Sequence, residues 1–301
     1  MTTVRIRVPA TSANLGPGFD ALGLALTLYD DVEATLTAEP GVRVSVEGEG
    51  AGEVDLGEGH LVVRAMREAY ARMGAPQPAG IALRCVNRIP HARGLGSSSA
   101  AVCAGILAAR ALSDDDLSDD DVFALATEME GHPDNVAPCL AGGLTVAWTD
   151  HAGAARMVKL APDERVRPVV VVPTTRLATE TARGLLPKDV PHKDASFNAG
   201  RAALLIAALT SRPEPELLLA ATEDRLHQPY RAPAMPESAR LVERLRAVGV
   251  PAVVSGAGPT VLAFSSPDTQ DLIAPEVGND WHIQQMDVDP VGANVQFPET
   301  R

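Results

Sequence analysis

The residues best placed by type and spacing to do chemistry are Pro90-His91-Ala92-Arg93-Gly94-Leu95-Gly96-Ser97-Ser98-Ser99-Ala100, followed by an alanine-rich run. Gly94 and Gly96 can take backbone angles closed to other residues and can admit another group against the main chain. Ser97, Ser98 and Ser99 suit a helix start, and Ala101–Leu112 is a strong helix former. Such a loop aims free N–H groups and the positive end of a helix dipole at one point, which makes it an anion site. The competing reading is a Gly/Ser turn that only begins a buried helix, since a glycine-rich loop alone is a weak signal. It is not the GxxxxGK[ST] phosphate loop, because no lysine follows Gly96. Nor is it a GxSxG nucleophile elbow, because Gly96-Ser97-Ser98-Ser99-Ala100 lacks the second glycine.

A second polar group, Gly131-His132-Pro133-Asp134-Asn135-Val136-Ala137-Pro138, follows a helix pattern over Val122–Glu130. Gly131 and Pro133 end that helix and leave His132, Asp134 and Asn135 on a loop, where function concentrates. The run Ser113–Asp121 is rich in aspartate, but it reads as a helix start with Ser118 as cap and carboxylates on the dipole, not as a metal cage.

The elements that position these loops follow from periodicity. Val4–Val8 alternates as a strand, ended by Pro9 and the polar, glycine-containing stretch to Gly18. Leu22–Leu36 and Val42–Glu47 have strand composition, Gly48–Gly59 reads as an acidic surface loop, and Leu61–Met73 carries apolar residues at helical spacing. Ile81–Val86 is a strand feeding the glycine-serine loop, which therefore lies between a strand and a helix. Leu144–Trp148 is a strand, and the valine-rich run Val166–Val172 opens the second half as a buried one. Asp150–Arg165 is weakest in pattern and takes the boundary between domains 1–155 and 156–301. Ser196–Ser211, Pro215–Leu226 and Ser238–Val248 are helices, and Val250–Val254 and Thr260–Ser265 are strands around Gly256 and Gly258. This much gives two α+β domains.

At 301 residues the chain suits two domains sharing a cleft, and 46% apolar against 22% charged residues is globular. Aromatics are only 3%, so the core must be built from Ala, Val and Leu. A net charge of −13 argues against a nucleic-acid surface but not against a local anion site. Cys85, Cys103 and Cys139 lie in apolar surroundings without CxxC spacing and read as buried, reduced thiols. The start of the chain alternates like a strand and has no signal-peptide core, and no apolar run approaches membrane-spanning length. A cytoplasmic protein without a membrane segment is the expectation.

Pro90–Ala100 resembles the ATP loop of the GHMP kinases, the family of galactokinase, homoserine kinase and mevalonate kinase. Two further stretches agree and keep the family's order. Pro9-Ala10-Thr11-Ser12-Ala13-Asn14-Leu15-Gly16-Pro17-Gly18-Phe19-Asp20 is similar to the opening motif of the homoserine kinases. Val254-Ser255-Gly256-Ala257-Gly258-Pro259-Thr260-Val261 is similar to the third, C-terminal motif. The resemblance implies a ribosomal-protein-like N-terminal half with a left-handed β-α-β unit, a ferredoxin-like C-terminal half, and a homodimer.

It also implies ATP and Mg²⁺ as cofactors and L-homoserine as the small-molecule acceptor, phosphorylated toward threonine synthesis. The whole loop from Pro90 to Ala100 would bind the nucleotide, and Ser98 or Ser97 with Glu130, or else Glu128, would hold Mg²⁺. By motif, Asn14, Asp20, His132, Asp134, Asn135, Arg183 and Arg231 match the acceptor side. Mevalonate kinase relatives have an Asp–Lys pair that activates the hydroxyl. Here the opening motif has no Lys and Asn135 stands at the Asp position, and Asn cannot accept a proton at neutral pH. The expectation is catalysis without a protein base, Asn14 orienting the hydroxyl. Homoserine kinases often carry Asn where this chain has His60, which becomes a candidate adenine contact. The alternatives are another small-molecule GHMP kinase, a diphosphomevalonate decarboxylase, or a nucleotide-binding regulator without turnover.

Overall fold

The computed structural model describes residues 2–114, 116–267 and 269–297. β1 (Thr3–Ala13), β2 (Leu22–Thr37) and β3 (Gly41–Gly48) open the chain, and α1 (Leu61–Met73) leads into β4 (Gly80–Asn87). α2 (Ser97–Leu112), α3 (Asp119–Glu130) and the short α4 (Val136–Ala141) follow, then the hairpin β5 (Leu144–Thr149) and β6 (Ala155–Leu160). The second half begins with β7 (Arg167–Pro173), α5 (Thr179–Gly184), α6 (His192–Ser211), α7 (Pro215–Ala221) and α8 (Gln228–Arg231). It continues through α9 (Pro236–Ala247), β8 (Ala252–Val254), β9 (Val261–Ser265), α10 (Gln270–Glu276), β10 (Trp281–Gln285) and β11 (Asn294–Gln296).

The first sheet has the order β11-β1-β2-β4-β3, with β5 on the other part of β2 and β6 on β5. β3 and β4 run parallel, joined by α1. The second sheet, β10-β7-β9-β8, is antiparallel throughout. Its chain order of strand, helices, two strands, helix and strand, with the fourth strand beside the first and the third between first and second, is ferredoxin-like, as expected. β6, starting at Ala155, and β11 both belong to the first sheet.

α2 is the axis of the first half, and its residues from Val102 to Ala109 are buried without a break. Its small side chains let α1 approach closely: a Cβ on Gly105 would lie 2.5 Å from Val62 O and 2.6 Å from Ala65 Cβ. Alanine and glycine replace aromatic bulk because two helices share the space over one sheet. In β7, Val170 and Val172 face the large core and Val169 and Val171 face a second core with Leu241, Leu245 and Ile273. A strand buried on both faces explains the unbroken valine run.

Three expectations need correction. β1 does not stop at Pro9; its pairing with β2 shifts register between Pro9 and Ala10 and continues to Ala13. A bulge at that point accommodates a residue without an N–H. The helix expected over Pro215–Leu226 ends at Ala221. There the Thr222 hydroxyl donates to Leu218 O at 2.6 Å, and Asp224 collects the N–H groups of Leu226, His227 and Gln228 in a turn. The weak region Asp150–Arg165 contains β6, which is only partly buried and so lacks apolar alternation. The aspartate run is a helix start: Ser118 Oγ accepts from Asp121 N and the Asp121 carboxylate accepts from Ser118 N. Asp115 lies outside the described residues. All three cysteines are buried and free. No helix of the described residues is long and apolar enough to cross a membrane.

Asp30 fixes the exit of β4 into the glycine-serine loop. Its buried carboxylate accepts from Arg88 N at 2.6 Å and Ile89 N at 2.9 Å. Burial nevertheless pushes its pKa up to about 6 from 3.8. Because the folded value is raised, the folded chain keeps a proton that the unfolded chain gives up, and this stabilisation is lost as pH rises through that window. In Asp30→Asn, stability relative to the parent should therefore grow as pH rises from about 4 to about 6 and then level off. The total gain should be about 3 kcal/mol. Thermal unfolding across that range checks it; a constant difference would mean an ordinary carboxyl.

Candidate active site

The glycine-serine loop is held by main-chain bonds to distant parts of the chain. Thr11 N donates to Leu95 O at 3.0 Å, Leu177 N to Ala92 O at 3.0 Å and Thr260 N to Arg93 O at 3.3 Å. The Ser255 hydroxyl donates to Gly94 O at 2.6 Å and lies 2.8 Å from Ser12 Oγ. All three sequence motifs thus meet at this bend. Gly94 and Gly96 both have φ of 74°. A Cβ on Gly94 would lie 2.2 Å from Ser255 O, and one on Gly96 would lie 2.0 Å from Thr11 Oγ1. The first intrahelical bond of α2 runs from Ala100 N to Gly96 O at 2.9 Å, so the N–H groups of Ser97, Ser98 and Ser99 precede it and can serve an anion.

Glu130, at the end of α3, reaches this helix start. Its two oxygens accept from Ser98 Oγ at 2.6 Å and Ser99 Oγ at 2.7 Å. Glu128 is turned away and pairs with Arg72. The donor set is therefore two hydroxyls and one carboxylate, all hard oxygen ligands of the kind Mg²⁺ takes.

A cavity of about 490 Å³ opens in front of the loop, with Glu130, Asp134, Arg183 and Arg231 on its walls. Asp134 is buried and lies 2.8 Å from His132 Nδ1, and that hydrogen bond holds His132 above its ordinary pKa despite burial. Asn135 Oδ1 accepts from Thr11 Oγ1 at 2.7 Å, which braces the floor beneath Gly96. Asn14 Nδ2 donates to Gly256 O at 2.9 Å and its Oδ1 accepts from Asp20 N at 2.9 Å, leaving one N–H and one lone pair. The opening loop is strained: Asn14, Leu15 and Asp20 all have positive φ, as does Ala92 opposite. These four are the non-glycine cases among the described residues, and each costs on the order of 1 kcal/mol.

The two arginines differ. Arg183 makes a bidentate pair with Asp20 at 2.7 and 3.1 Å. Arg231 is buried in the floor of the cavity. Its Nη1 donates to Gly256 O at 3.2 Å and to His227 Nδ1 at 3.3 Å, while its Nε has no partner among the described residues. Burial, and after it the nearby Arg183, presses Arg231 below its ordinary pKa. Its Nη2, neither hydrogen-bonded among the described residues nor enclosed, is the part of this cation that suits an anionic ligand group.

On the other side of Ser97 and Ser98 lies a second cavity of about 380 Å³, walled by Asp30, His60 and His91. His60 is buried, burial lowers its pKa, and its Nδ1 has no partner among the described residues. Arg93 points elsewhere: its Nε and Nη2 donate to Pro173 O at 2.9 Å and Thr174 O at 3.0 Å, tying the loop to β7.

The acceptor-side residues named from sequence thus converge, except that Asp20 and Arg183 satisfy each other. Sequence reasoning missed the supporting roles of Thr11, Ser255 and His227. Thr11 and Ser255 stand inside the matched motifs, and His227 lies one helical turn before Arg231, which was the available signal.

The GHMP kinase N-terminal domain family matches residues 60–143, and the GHMP kinase C-terminal family matches residues 205–283. A homoserine kinase of Streptomyces coelicolor is 58% identical over 97% of this chain and 94% of its own. One from Streptomyces avermitilis is 58% identical over 97% of this chain and 95% of its own. The crystal structure of a homoserine kinase from Cytophaga hutchinsonii, 26% identical, superposes with a TM-score of 0.84 over 98% of both chains. The chain belongs to the homoserine kinase family of the GHMP kinases.

Proposed function

We propose that the chain transfers the γ-phosphoryl group of ATP to the side-chain hydroxyl of L-homoserine, a step toward threonine. One observation carries this reading: helix-start amides, a hydroxyl–carboxylate cluster and a buried arginine converge on a single cavity. The Streptomyces homoserine kinases, at 58% identity, support it.

The triphosphate lies against Gly94–Ser99, with the base in the His60 cavity. Ser98 and Glu130 hold Mg²⁺ together with Ser99, and the ion, when bound, neutralises phosphate charge. Residues 1–155 supply this nucleotide side, and residues 156–301 add the arginines. The acceptor's carboxylate meets Arg231, and its ammonium competes with Arg183 for the Asp20 carboxylate. The hydroxyl oxygen forms the new bond to Pγ as the bond to the ADP oxygen breaks. In this reading no protein base acts and the proton leaves through the γ-phosphate: Asn135 cannot take it, and Oδ1 of Asp134 is engaged by His132. We further propose a cytoplasmic enzyme, and a homodimer on the family's pattern.

A coupled ATPase assay with homoserine, mevalonate and galactose in parallel tests the function. Preference for homoserine is expected; preference for either other acceptor, or tight ATP binding without product, ends the claim. For the base-free step, Asp134→Asn should keep the shape of the parent's pH–rate profile; a limb that vanishes would name Asp134 as the base. Glu130→Gln should raise the Mg²⁺ concentration for half-maximal rate about tenfold or more, as charge-assisted bonds are lost. Glu128→Gln should leave it unchanged. Equal effects of the two would refute the metal assignment.

A further inference from the structure

We propose that His227 is a positioning residue that aims the Arg231 guanidinium at the acceptor's carboxylate, an inference that rests on the role just given to Arg231. His227 and Arg231 sit one turn apart at the two ends of α8. His227 is fully buried. Its Nε2 lies 2.8 Å from Gly16 O, and its Nδ1 lies 3.3 Å from Arg231 Nη1. A carbonyl can only accept and a guanidinium can only donate. Nε2 must therefore carry the proton and Nδ1 the lone pair. Each link in the string has one possible direction.

The surroundings keep the ring in that state. Burial, and less strongly Arg231, holds its pKa below the ordinary value, although Asp224 Oδ2 sits 3.6 Å from Nε2 and acts the other way. Asp224 fixes the backbone too, accepting from His227 N at 3.1 Å and Gln228 N at 2.7 Å. Phe19 stacks on the imidazole at 5.2 Å and lies 5.3 Å from the Arg231 guanidinium carbon. The opening motif therefore touches the ring twice, through Gly16 and through Phe19. Gly256 O and His227 Nδ1 hold Arg231 by its Nη1, which leaves Nη2, neither hydrogen-bonded among the described residues nor enclosed, for the ligand. Without the imidazole acceptor, one tether on a flexible side chain would remain.

Two conservative variants separate the halves of the ring. Glutamine places its amide near Nε2 and can keep the bond to Gly16, while asparagine places its oxygen near Nδ1 and can keep the bond from Arg231. His227→Gln should raise KM for homoserine about tenfold, with kcat and the KM for ATP within about twofold of the parent. His227→Asn should recover most of that affinity. Aminopropanol, which is homoserine without its carboxylate, should be turned over equally slowly by the parent and His227→Gln. A parental KM in His227→Gln, or equal damage in both variants, would reduce His227 to a pin for Gly16 and overturn the proposal. If Arg231→Met leaves the preference for homoserine over aminopropanol intact, the reading of Arg231 fails instead. Nitrogen NMR of the unaltered protein needs no variant: it should find Nε2 protonated and an Nδ1 signal that moves when homoserine binds. An imidazolium, or a proton on Nδ1, would refute the arrangement.

Discussion

Gly96→Ala should remove productive ATP binding, lowering kcat/KM for ATP by at least about a hundredfold, the scale of a 1 Å misplacement at a reacting centre. Two effects act together. With φ at 74°, a side chain costs on the order of 1 kcal/mol whatever the space around it. The added Cβ would also lie 2.0 Å from Thr11 Oγ1 and 3.2 Å from Asn135 Oδ1, so the bend must open and turn the amides of Ser97–Ser99 off target. Gly74 separates the two effects, since it has φ of 70° and a Cβ there would meet nothing within 4 Å. Gly74→Ala should lose about 1 kcal/mol of stability and no activity. Adding Thr11→Ala to Gly96→Ala should restore part of the loss. Calorimetry with a non-hydrolysable ATP analogue reads all four proteins, and parental affinity in Gly96→Ala would mean that the triphosphate binds elsewhere.

Arg231→Met should lower kcat/KM for homoserine about a hundredfold, through KM, while the KM for ATP changes little. Methionine roughly fills the volume, so the loss isolates charge-assisted bonds of about 1.5–3 kcal/mol each. Removing the guanidinium also unpairs His227 Nδ1 and leaves Gly256 O with Asn14 Nδ2 alone, so a lower melting temperature is expected beside the kinetic defect. Arg183→Met should do less to KM, because Arg183 already has both Nη groups on Asp20. Steady-state kinetics with homoserine as the varied substrate decide; a larger defect in Arg183→Met would reverse the assignment of the two arginines.

What the sequence revealed depended on whether a signal was local. α1 was legible from Leu61 to Met73 because its apolar face repeats with helical period and Gly74 closes it in the left-handed conformation. The Ser118 cap of α3 was legible for the same reason. β6 and β11 were not, because both lie partly exposed on the first sheet and show no apolar alternation. In the site, the motifs marked which loops converge but not how their charges divide. Asp20 and Arg183 are 163 positions apart and look alike as free charges until the fold joins them. Likewise Glu128 and Glu130 are equivalent carboxylates in the sequence, and only the rotation of α3 gives one to Arg72 and the other to Ser98.

The pairing of β11 with β1, Arg5 opposite Gln296 and Arg7 opposite Asn294, has a consequence for biogenesis. β1 is made well before β11, so its rim stays open until the later strand has emerged. Arg5 and Arg7, both exposed and paired with Glu33 and Asp31, put charged side chains on that strand, which disfavours pairing with other polypeptides. A proteolytic nick between the halves would therefore divide that seam, each fragment holding one of its two strands.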